Sequence, residues 1–144
     1  MTRKPIKQED PLGCGVACVA FVTGVSYKTA KSKYFKTVNS AKTTGYICKD
    51  LVKALSLSGK KYSYNYIKYK RRFQNNTIAF IKRSKRYPAG HYLAKSKFGW
   101  MDPWINFNIK DPNPKLAISG FRKRLPGRPI YVIFPTQVRV SSKT

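Results

Sequence analysis

Gln8-Glu9-Asp10-Pro11-Leu12-Gly13-Cys14-Gly15-Val16-Ala17-Cys18 is the stretch on which the fold turns. It runs on through small apolar residues to Thr23-Gly24, the pattern of a buried helix over residues 15–22 stopped by glycine, with Cys14 at its N-terminus. Glycines on both sides of Cys14 let the backbone turn sharply and let a substrate approach. A helix N-terminus stabilises a thiolate through its dipole and its free amide groups. Gln8 stands far enough upstream to bring a side-chain amide beside the sulfur as an oxyanion-hole donor, with the Cys14 main-chain N–H as its partner.

A nucleophilic thiol needs a base, and the chain has a single histidine, His91. It lies in Pro88-Ala89-Gly90-His91-Tyr92-Leu93, which reads as a strand, and Gly99-Trp100-Met101-Asp102-Pro103-Trp104 follows. Two neighbouring strands joined by a turn at residues 95–98 bring Asp102 beside the imidazole, so Cys14, His91 and Asp102 make a nucleophile, a base and an orienting carboxylate. The bland readings are that Cys14 is a buried small hydrophobe and that Asp102 merely begins an Asp-Pro turn. The glycine context and the Gln8 spacing weigh against the first. Cys18, one helical turn after Cys14, reads as core, and Cys48 as structural. The three cysteines and His91 offer zinc-ligand types but lack paired C-x2-C spacing, so neither a metal nor a cofactor is expected.

Outward from this constellation, Ser26 is placed to cap a helix over residues 26–35, and residues 47–56 form another before the stop at Gly59. Tyrosine and β-branched residues then take over. Residues 62–67, 77–81, 90–94, 99–104 and 129–134 read as strands, residues 102–114 as a loop with three X-Pro steps, and residues 115–124 as a short helix. Helices followed by mostly antiparallel strands make an α+β fold, in a single domain over residues 1–144.

The combination of Gln8, five further residues, Cys-Gly-x-Ala-Cys from Cys14, Gly-His-Tyr around His91 and Asp-Pro at Asp102 resembles the papain-like cysteine peptidases that remove double-glycine leaders from bacteriocins. The resemblance implies a papain-like fold, N-terminal helices packed on a mostly antiparallel sheet. It also implies Cys14 as nucleophile, His91 as general base, Asp102 as orienter and Gln8 in the oxyanion hole, with a peptide or protein as substrate.

Charge points in a second direction. Thirty Lys and Arg stand against five acids, a net charge of +25 on 144 residues. Most basic side chains therefore have no acidic partner within the chain, and the positive field favours a polyanion such as RNA. Basic residues cluster beside aromatic ones at Lys68, Lys70, Arg71 and Arg72, at Lys82, Arg83, Lys85 and Arg86, and at Arg122, Lys123 and Arg124. Lys and Arg neutralise phosphates while aromatic rings stack on unpaired bases.

Three functions follow from these observations. The first is a cysteine peptidase using Cys14, His91, Asp102 and Gln8. The second is a bacterial toxin acting on nucleic acid, a ribonuclease with tRNA among its targets, countered by an immunity protein. The third is a catalytically silent RNA-binding module. Scarce acids and one histidine argue against metal-dependent nuclease chemistry. No secretory signal is evident and no apolar run approaches the roughly 18 residues of a spanning helix. An odd number of cysteines argues against a disulfide framework, so a cytoplasmic location is the default, with delivery into another cell under the toxin reading.

Overall fold

The computed structural model describes residues 3–35, 40–67 and 72–136. Helix α1 (Cys14–Thr23) is buried from Gly15 to Val22, on all sides, because its small residues let neighbouring elements approach from every direction. Gly24 ends it in the left-handed conformation, with its N–H on Ala20 O. In α2 (Tyr27–Tyr34) Ser26 is the N-cap and accepts from Thr29 N, as the sequence predicts. A one-turn α3 (Ser40–Thr43) was not foreseen. Ile47 is the N-cap of α4 (Cys48–Leu57), where its free N–H is bonded by the Asp50 carboxylate.

One antiparallel sheet of six strands follows: β1 (Tyr62–Tyr66), β2 (Ile78–Ile81), β3 (His91–Ser96), β4 (Gly99–Asp102), β5 (Gly120–Arg122) and β6 (Pro129–Pro135). Their order is β1-β6-β2-β3-β4-β5. Residues alternate between two clusters, as a pleated sheet requires. Ile78, Tyr92, Ala94, Met101 and Ile133 pack with α1, α2 and α4, whereas Ala79, Ile81, Leu93 and Trp100 pack with Tyr87 in a smaller cluster. The α+β arrangement of helices on an antiparallel sheet is the expected one.

The sequence reading is corrected at residues 115–124. Only a 3-10 turn, Pro114–Leu116, is helical there, and Gly120–Arg122 is strand β5, paired with β4. Edge pairing with β4 supplies hydrogen bonds and a carboxylate partner for Arg122 that an isolated helix could not, and tertiary context overrides local propensity.

The β3–β4 hairpin sets the geometry of the site. Its turn is Lys97-Phe98, tighter than the residues 95–98 expected, and Ala94 pairs with Met101. Asp102 thus ends β4 close to where His91 begins β3. Gly90, just before His91, has φ of 78°, and a Cβ there would run into the Phe80 ring and Ile81 O. Gly90→Ala is expected to lose on the order of 1–3 kcal/mol in urea unfolding, from backbone strain and overpacking together. A variant as stable as wild type would refute that account.

Candidate active site

Cys14 is the first residue of α1, and Gly13 is the N-cap without a side-chain cap. The free N–H groups of the first turn therefore surround the sulfur's end of the helix. The approach to Cys14 is fixed from outside the helix. Tyr27 Oη donates to Asp10 Oδ2 at 2.7 Å and Lys31 Nζ to the same oxygen at 2.8 Å, while Gly13 N donates to Asp10 O at 3.2 Å. Burial pushes the Asp10 carboxyl up, and the Lys31 and Tyr27 bonds outweigh it, so the group stays below the ordinary range. A Cβ on Gly13 would strike the Tyr27 hydroxyl, which is why glycine stands there.

His91 and Asp102 meet as the hairpin requires. Nε2 of His91 lies 2.6 Å from Oδ1 of Asp102, with both side chains buried. Oδ1 also accepts from Trp104 N at 2.9 Å, and Oδ2 accepts from Arg122 Nε at 2.7 Å. The Arg122 fork is itself held, with Nη2 donating to Ile105 O at 3.0 Å. Tyr87 stacks flat on the imidazole, ring centroids 4.7 Å apart and planes within 1°.

Burial pushes the His91 pKa down, but hydrogen bonds to Asp102 and Cys14 and the charges on both raise it to about 9. Burial likewise opposes ionisation of Asp102, and its bonds to His91, Arg122 and Trp104 N bring it down to about 2. At neutral pH the site therefore holds an imidazolium against the Asp102 carboxylate. Cys14 is the partly exposed cysteine, whereas Cys18 and Cys48 are buried and burial raises both thiols. Iodoacetamide at pH 7 is therefore expected to modify Cys14 first, giving one adduct by intact mass, and at least tenfold more slowly in His91→Gln. Equal labelling of all three cysteines would contradict the geometry.

Gln8 is 2% exposed and lines the same cavity as Cys14 and His91. Its Nε2 donates to Asp10 O at 3.0 Å and Pro11 O at 3.1 Å, and its main-chain N donates to Pro103 O at 3.2 Å. The amide hydrogens are thus engaged by the turn before Cys14, and Oε1 is buried without a protein partner.

The basic residues divide. Lys82 and Arg83 are exposed and line a cavity with Cys14, and Arg86 lies over the Tyr87 ring at 5.2 Å. Lys85, Lys123, Arg124 and Arg72 are exposed, whereas Lys68, Lys70 and Arg71 lie outside the described residues. Arg122, expected on a polyanion surface, is instead tied to Asp102, where among the described residues it is the cation that balances the buried carboxylate on its second oxygen. Its pairing spans the β4–β5 edge, and no local motif signals it. Among the described residues no group of three or more His, Cys, Asp and Glu side chains could hold a metal ion. No helix among them is long and apolar enough to cross a membrane.

No family model matches the chain, and no curated protein matches it. Among solved structures, the peptidase domain of Streptococcus ComA, a bifunctional ABC transporter involved in a quorum-sensing pathway, matches with a TM-score of 0.53. The match covers 93% of this chain and 98% of that one, at 16% identity. This chain has the papain-like cysteine peptidase fold. At that identity the likeness carries the fold, and the chemistry rests on the side chains described above.

Proposed function

We propose that the chain is a papain-like thiol hydrolase that cleaves peptide bonds. The carrying observation is the 2.6 Å contact between His91 Nε2 and Asp102 Oδ1 in a cavity that Cys14 and His91 line together. Cys14, as thiolate beside the imidazolium, attacks the scissile carbonyl. His91 gives its proton to the leaving amine, and the acyl group stays on sulfur. Water then enters, His91 takes its proton, and the carboxylic acid leaves with the thiolate restored. Asp102 holds the ring in the orientation that aims its other nitrogen at the sulfur. The oxyanion is met by Cys14 N–H and by Gln8 Nε2, which turns one hydrogen from a main-chain carbonyl toward it.

Fold and site favour a peptide over RNA. The ribonuclease reading retains one observation, that Lys82 and Arg83 line a cavity with the thiol. A single experiment separates the two. Wild type and Cys14→Ala are incubated with bacterial protein extract and with total bacterial RNA, with and without iodoacetamide. Peptidase action predicts cysteine-dependent, iodoacetamide-sensitive loss of protein bands with RNA intact. Cysteine-dependent RNA cleavage that falls steeply with salt would replace the proposal with the toxin reading. Protein cleavage that persists in Cys14→Ala would remove the nucleophile assigned here.

A further inference from the structure

Two cavities flank Cys14, one of about 440 Å³ and one of about 230 Å³, and they share only Leu12, Cys14, Ala89 and Gly90. Tyr46, Phe80 and Tyr131 wall the larger, together with Lys82 and Arg83. His91, Trp104, Phe107 and Ile109 line the smaller, which has no charged side chain besides His91. That difference gives the cleft a direction. In thiol hydrolysis the imidazolium protonates the departing amine, so the fragment that leaves must lie on the His91 side of the sulfur. The acyl fragment then extends the other way, over Tyr46 and Phe80.

The smaller cavity is preformed. Trp104 is 3% exposed, and Phe107 packs edge-on against it at 4.9 Å while stacking on Tyr87 at 5.7 Å. Asn106 braces the loop by donating to Leu116 O at 3.1 Å and accepting from Ile118 N at 2.9 Å. Ile109, 48% exposed, is left at the lip. Such walls reward an apolar side chain and penalise a charged one, which would lose its water where the one cation, His91, is already paired with Asp102.

We propose that this cavity is the leaving-side subsite: it receives the side chain immediately C-terminal to the scissile bond and selects a large aliphatic or aromatic residue there. The assignment rests on the hydrolase reading above, since it takes its direction from proton transfer by His91.

The test digests a defined mixture of synthetic peptides, containing all residue pairs, with wild type, Cys14→Ala, Ile109→Lys and Leu57→Lys, and maps every cut by mass spectrometry. Leu57 is exposed and lines neither cavity, so it carries the same change of charge away from the cleft. Wild-type cuts should carry Phe, Tyr, Trp, Leu, Ile or Met directly after the bond, about tenfold over Asp, Glu or Lys. Ile109→Lys should raise acidic residues at that position about tenfold relative to Phe, and Leu57→Lys should match wild type. Cys14-dependent cuts with a flat distribution after the bond would overturn the subsite and leave the hydrolase standing. So would a change in Ile109→Lys confined to the position before the bond. Absence of any Cys14-dependent cut would remove the hydrolase reading and the subsite with it.

Discussion

Replacing Asp102 with alanine is expected to destabilise the protein by about 3–5 kcal/mol, the largest single-site effect in the molecule. The carboxylate is fully buried and binds three donors, His91 Nε2, Arg122 Nε and Trp104 N. Its removal leaves two cations facing one another across a cavity, and burial makes each uncompensated charge costly. Asp102→Asn, which keeps the volume, separates charge from packing. It should unfold at lower urea than wild type, and the His91 pKa should fall from about 9 toward or below the ordinary 6.5. The pH dependence of stability has a definite sign. The raised His91 pKa gives a contribution that is complete below about pH 6.5 and is lost as pH rises through about 9. The lowered Asp102 pKa gives one that is present above about pH 3.8 and is lost as pH falls through about 2. Comparison with His91→Gln isolates the first limb, because repulsion among the remaining charges eases in both proteins as pH approaches the pI of 10.3. An Asp102→Ala protein within about 1 kcal/mol of wild type would show that the network contributes little.

Cys14→Ala is expected to reduce peptide hydrolysis by on the order of 10⁴–10⁶-fold, as loss of a nucleophile does where the triad acts as a unit. The substitution sits in the first turn of α1, where alanine has the best helix propensity and only a half-buried sulfur is removed, so the fold should persist. Circular dichroism and urea unfolding are the controls. Cys18→Ala, by contrast, removes a fully buried side chain one turn along and should cost stability rather than chemistry. Hydrolysis retained within about tenfold in Cys14→Ala would mean that another group attacks the substrate.

The electrostatic setting explains how so basic a chain keeps a compact site. Two of the three ion pairs among the described residues converge on Asp102, and the third fixes Asp10 in the turn before Cys14. Buried carboxylates are thus placed at the turn before Cys14 and against His91. Lys82 and Arg83 have no ion-pair partner among the described residues and line the larger cavity beside Cys14.

Much of the site was legible because its information is local or nearly so. Glycines 13 and 15 mark the close approaches around Cys14, the apolar run marks the buried helix behind it, and hairpin spacing brings Asp102 to His91. The β1 tyrosines gave a strand correctly, yet Tyr64 and Tyr66 are 42% and 55% exposed, since β1 is an edge strand. Residues 115–124 were misread for a related reason, because strand β5 exists only through its partner β4.

From sequence alone came the helices of the first half, the strand-rich second half, and the identities of Cys14, His91, Asp102 and Gln8 as the residues to watch. Each depends on periodicity, turn chemistry or spacing that neighbouring residues set. The tertiary structure alone decided the sheet order, which inserts β6 between β1 and β2. It also reassigned Arg122 from the polyanion surface to the Asp102 carboxylate and divided the cleft into two cavities of different chemistry. These join residues far apart along the chain, whose pairing is selected by burial and charge balance once the whole sheet has closed, and no local pattern encodes that choice.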